Sequence, residues 1–74
     1  MNTIDFILRG EYITLDALLK ATGLAGSGGS AKVLIADGQA QVNGEVDTRR
    51  GRKVRAGDRV QLGDTAVRVQ AGAG

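Results

Sequence analysis

Five of the seven residues from Arg49 to Arg55 are cationic: Arg49, Arg50, Arg52, Lys53 and Arg55. The chain holds 10 Lys and Arg against 8 Asp and Glu, so outside this run five cations face eight acids. The net charge of +2 therefore hides a +5 segment in a chain that is otherwise −3. Charge concentrated in this way is the electrostatic footprint of a surface for phosphates. Five like charges side by side repel one another, and a polyanion relieves that repulsion while releasing its own counterions. A solvated loop is the plainer reading of any basic run. This one is internal, between expected strands, rather than a trailing charged tail, which favours binding.

A second feature is Gly26-Ser27-Gly28-Gly29-Ser30, followed by Lys32. At the start of a helix the amides of Ser27, Gly28 and Gly29 could face an anion, with no side chain in the way. An ordinary interhelical loop with a serine cap explains the same residues. The segment lacks the Gly-Lys-Ser/Thr ending of a Walker loop, and no cofactor is expected. Asn43-Gly44 is first of all a turn, with any binding role for Asn43 secondary. With no His and no Cys, general bases and nucleophiles reduce to Asp, Glu, Ser, Thr and Lys. No pair of them stands at a catalytic spacing, so no catalytic residue is assigned. Metal ligation would rest on carboxylates alone, and no metal site is assigned either.

The elements that must position these residues follow from periodicity. Ile4, Phe6 and Leu8 alternate as in a short strand. Thr14 is a candidate N-cap for a first helix over 15–22, with Asp16 in its first turn and Gly23 as its stop. A second helix spans 28–37, capped by Ser27 and ended by Gly38, with Ala31, Leu34 and Ile35 on one face. From Gln39 the period changes to two. Val42-Asn43-Gly44-Glu45 reads as a hairpin with a type I′ turn, which needs positive φ at both central positions. Arg59–Leu62 and Ala66–Val69 alternate on either side of a turn at Gly63-Asp64. The fold class is α+β, with two short helices packed on a small, mostly antiparallel sheet of three to five strands. Residues 1–70 form one domain and 71–74 a frayed tail.

A chain of 74 residues buries only roughly 60% of its extended surface, so its core is small. Without cysteine no disulfide supports it. There is no basic leader followed by an apolar stretch, and no run approaches the ~18 apolar residues of a membrane span. A cytoplasmic protein with no membrane partner is expected.

The ordered set of these pieces resembles the S4 RNA-binding domain family, in its small stand-alone bacterial form, the YbcJ-like group. It is carried by Leu15-Asp16-Ala17-Leu18-Leu19-Lys20, Gly23-Leu24, and Ser27-Gly28-Gly29-Ser30-Ala31-Lys32-Val33-Leu34-Ile35. It continues through Asp37-Gly38, Gln41-Val42-Asn43-Gly44-Glu45-Val46 and Val54-Arg55-Ala56-Gly57-Asp58, about two-thirds of the chain. The resemblance implies an αL-type fold that holds RNA along the second helix and the neighbouring hairpin. It implies roles for Ser27, Ala31 and Lys32 in the helix-two motif and for Val42-Asn43-Gly44 in the hairpin motif. Many members carry Arg before the Leu-Asp pair and after the helix-two serine. Thr14 and Gly28 stand there in this chain, and the charge is displaced toward Arg49–Arg55.

The resulting expectation is a non-catalytic, monomeric module for structured RNA, ribosomal or transfer. Its RNA-contacting residues are Ser27, Gly28, Gly29, Lys32, Asn43, Arg49, Arg50, Arg52, Lys53 and Arg55. Phe6 and Tyr12 are too few for the aromatic platform of a single-strand reader. Arginine forks and backbone amides hold phosphates and shape instead. The competing reading is a module that docks an acidic protein.

Overall fold

Apolar alternation makes Asn2–Leu8 a strand, β1, with Ile4 and Phe6 half-buried and Leu8 buried. The computed structural model describes residues 2–72. The remaining elements are β2 (Ile13–Thr14), α1 (Leu15–Ala21), α2 (Gly28–Ala36), β3 (Ala40–Val42), β4 (Glu45–Val46), β5 (Lys53–Val54), β6 (Arg59–Leu62) and β7 (Thr65–Ala71). Five strands form one sheet in the order β1-β7-β6-β3-β4. Its β3–β4, β3–β6 and β6–β7 pairs are antiparallel, as the hairpin signals require. The β1–β7 pair is parallel, from Asn2↔Thr65 to Leu8↔Ala71. Parallel neighbours need a long crossover, and here the rest of the domain supplies it.

The helices bury one stripe each. Leu15, Leu18 and Leu19 of α1 and Ala31 and Ile35 of α2 are fully buried, against Ala40, Val54, Val60 and Val67. Leu34 packs at the margin of this core. The expected two-helix, mostly antiparallel α+β architecture is therefore present, as a mixed sheet.

Several boundaries differ from the sequence reading. Helix α1 stops at Ala21 and α2 at Ala36, with Thr22 and Asp37 as their C-caps. Ser27 caps α2 as expected, its Oγ accepting from the Ser30 amide at 3.1 Å. Thr14 does not cap α1 with its side chain. The α1 amides are met from elsewhere: Leu15 N–H donates to the Arg52 carbonyl at 2.9 Å and Asp16 N–H to the Arg50 carbonyl at 3.2 Å. Carbonyls of the basic run thus meet the first two amides and Asp16 Oδ1 meets the third, Ala17 N–H, at 2.8 Å, so the amides a Thr14 cap would serve are taken. β2 and β5 form a separate two-stranded ladder, Ile13↔Val54 and Thr14↔Lys53, too short for any periodic signal. β7 reaches Ala71, and Gly72 N–H donates to the Leu8 carbonyl at 3.1 Å, so these two residues of the expected tail continue the sheet edge. Ala73 and Gly74 lie outside the described residues.

Candidate nucleic-acid interface

The basic run is a loop fixed at four points. Val54, its only large aliphatic residue, is fully buried and draws the C-terminal half onto the core. The carbonyls of Arg50 and Arg52 are held by the start of α1. A turn closes when Arg52 N–H donates to the Arg49 carbonyl at 3.1 Å. The fourth point is Asp47, which is only 7% exposed although charged.

Asp47 is the centre of a clamp. Its Oδ1 accepts from Arg49 N–H at 2.9 Å and Arg49 Nε at 3.1 Å. Its Oδ2 accepts from Arg49 Nη2 at 2.9 Å and Arg52 Nη1 at 3.0 Å. Hydrogen bonds from the Arg49 guanidinium, opposed by burial and helped by the Arg49 amide and Arg52, hold the Asp47 carboxyl well below the usual carboxylate range. A buried carboxylate is tolerated because two guanidiniums and an amide satisfy it. Asp47 is the residue that the sequence reading missed. An acid two places before Arg49 was the available signal, but the pattern of types carries no burial.

The clamp divides the five cations. Arg49 and Arg52 are engaged, with side chains 72% and 31% exposed. Arg50, Lys53 and Arg55 make no ion pair among the described residues. The Lys53 ammonium lies 5.0 Å from the centre of the Tyr12 ring, a contact of about 0.5–1 kcal/mol at an exposed site.

Asn43 also has a structural role. Asn43 and Gly44 have φ of 54° and 86°, the positive pair that the type I′ turn demands. The Asn43 side chain then reaches across the sheet. Its Oδ1 accepts from Arg59 N–H at 2.9 Å, and its Nδ2 donates to Asp58 Oδ1 at 3.0 Å. The other Asp58 oxygen accepts from Arg55 N–H at 2.8 Å. Burial works against the Asp58 charge, but the Arg55 amide and Asn43 outweigh it and lower the carboxyl below its ordinary value. Asn43 thus joins the hairpin turn to the last cation of the run, and its amide is already occupied by internal bonds.

The second helix forms a separate group. Ser27, Gly28, Gly29 and Lys32 are all exposed. A Cβ at Gly28 would meet nothing within 4 Å, and neither Gly28 nor Gly29 has a positive φ. Neither backbone conformation nor packing within the described residues requires glycine there. The run sits at the N-terminal end of α1, whereas Ala25 N–H bonds the Leu19 carbonyl at its other end, two residues before Ser27. A seven-residue helix is about 10 Å long. The structure therefore joins Asn43 to the run, while the run meets the N-terminal end of α1 and the segment leading into α2 meets its C-terminal end. Among the described residues no group of three or more His, Cys, Asp or Glu is placed to hold a metal. No helix is long and apolar enough to cross a membrane.

Comparison with known proteins bears on this arrangement. YbcJ, a putative RNA-binding protein of Escherichia coli (strain K12), is 42% identical over 60 residues, which cover 81% of this chain and 86% of that protein. RlbA, a probable ribosome maturation protein of Bacillus subtilis (strain 168), is 44% identical over 52 residues, 70% of this chain and 73% of that protein. The solution structure of E. coli YbcJ, described as revealing an αL motif involved in RNA-binding, matches with a TM-score of 0.73 at 39% identity. That match covers 96% of this chain and 91% of YbcJ. The S4 domain model matches residues 6–70, and the chain belongs to the S4 domain family.

Proposed function

We propose that this domain is a non-catalytic module that binds structured RNA as a monomer in the cytoplasm, gripping phosphate backbone and shape rather than base sequence. The observation that carries this reading is the anchored cationic turn. Its backbone is held by α1, Asp47 and Val54, while Arg50, Lys53 and Arg55 remain unpaired among the described residues. A charged loop with a fixed backbone, three of whose cations form no ion pair among the described residues, suits a rigid polyanion. The exposed glycine start of α2 supports a second point of approach, because nothing among the described residues requires glycine there. The residues put forward as contacts are Arg50, Lys53 and Arg55 first, then Lys32, Ser27, Gly28 and Gly29. Arg49 and Arg52 contribute through the clamp, and Asn43 as a positioning residue.

The relatives support the same reading. One is named as RNA-binding and another as a ribosome maturation protein, which favours ribosomal over transfer RNA here. Binding to a structured ribosomal RNA fragment is expected to exceed binding to poly-glutamate of the same charge, measured by fluorescence anisotropy in one buffer. Equal or tighter binding of poly-glutamate would overturn the RNA reading in favour of an acidic protein partner.

A further inference from the structure

Tyr12 is one of two aromatic residues in the chain, and the chain has no tryptophan. Phe6 packs against the core, whereas Tyr12 is 44% exposed. The β2–β5 ladder explains its position. Thr14 lies opposite Lys53 and Ile13 opposite the buried Val54. Side chains alternate along a strand, so Tyr12, directly before Ile13, takes the outward face shared by Thr14 and Lys53. The Lys53 ammonium stands 5.0 Å from the ring centre. Continuing the register by one step brings Tyr12 opposite Arg55. A half-exposed ring thus lies beside cations that form no ion pair among the described residues.

We propose that Tyr12 stacks on one unpaired nucleobase, whose flanking phosphates are held by Lys53 and Arg55. The inference rests on the RNA-binding reading and refines it: the target is a structured RNA with an unpaired nucleotide, not a continuous duplex. One ring is too little for a single-strand platform but is enough for one bulged base. Aromatic stacking tolerates any base, so the contact selects an unpaired position without selecting a sequence.

The test uses an RNA hairpin with a single-nucleotide bulge and the same hairpin fully paired. Wild type is expected to prefer the bulged hairpin. Tyr12→Leu should weaken binding to it by about 5- to 150-fold, leaving the paired hairpin and the salt dependence unchanged. Tyr12→Phe should bind as wild type does. Because Tyr12 is the only tyrosine and no tryptophan is present, its emission reports this ring alone, and the bulged hairpin should quench it. Unchanged bulge binding by Tyr12→Leu, equal loss on both hairpins, or unquenched emission would overturn the stacking role while leaving RNA binding intact. Failure of wild type to bind either hairpin would overturn both readings together.

Discussion

Asp47 neutralises part of the charge that surrounds it and gives the remainder a fixed frame. It is buried, and Arg49 and Arg52 both donate to it. Its folded pKa is depressed, so its contribution to stability is fully present above the unfolded value of about 3.9. That contribution is lost as pH falls toward the lower folded value. Asp47→Asn should be less stable than wild type by about 1–3 kcal/mol near neutral pH, and the gap should narrow as the medium is acidified below about pH 4. Urea denaturation of both proteins across that range measures it; a gap that stays constant or widens in acid would rule out this account of Asp47. At the residue scale the sequence was informative about chemical type and silent about burial. Asp47 is just another acid in the string, and Asn43 carries the same hairpin signal whether or not its side chain spans to Asp58.

The elements show why some local signals were sufficient. Ser27 caps α2 because its oxygen needs only the amide three residues ahead, and Asn43-Gly44 turns the chain within four residues. Thr14 offers the same hydroxyl before a helix, yet the Ala17 amide three residues ahead is taken by Asp16 Oδ1 at 2.8 Å, and the Asp16 amide by the distant Arg50 carbonyl. The Asp16 side chain is a local competitor, whereas the Arg50 carbonyl is one that a sequence-local rule cannot see. Ser27→Ala should therefore cost about 1 kcal/mol, while Thr14→Ala should fall within the ±0.5 kcal/mol of an ordinary surface change. Thermal unfolding of the two variants separates them, and a comparable loss from Thr14→Ala would show that its hydroxyl does cap α1. The β2–β5 ladder was hidden for a related reason. Two residues per strand leave no period to read, and Lys53 and Val54 stood out as charge and bulk rather than as a strand.

At the scale of the whole molecule, the two ends of the chain close the fold. β1 and β7 pair in parallel along seven residues, a partnership no hairpin signal announces. The strands themselves were legible, since Ile4, Phe6 and Leu8 alternate; their mutual register was not. This closure leaves one small core, with α1 as the link between the two groups of proposed contacts. The anchored turn lies at its N-terminal end and the glycine start of α2 beyond its C-terminal end. Contacts at both ends of a helix about 10 Å long suit more than one phosphate.

The central claim is that Arg50, Lys53 and Arg55 neutralise phosphates. Its most direct test is the salt dependence of binding to a structured ribosomal RNA fragment, for wild type and for the triple variant R50A/K53A/R55A. None of these three side chains forms an ion pair among the described residues, so the variant should remain folded. Each lost contact lowers the log–log slope by roughly 0.7–0.9, and the variant should show a slope smaller by roughly 2–3 with weaker binding at every salt concentration. A folded triple variant with the wild-type slope and affinity would contradict the account.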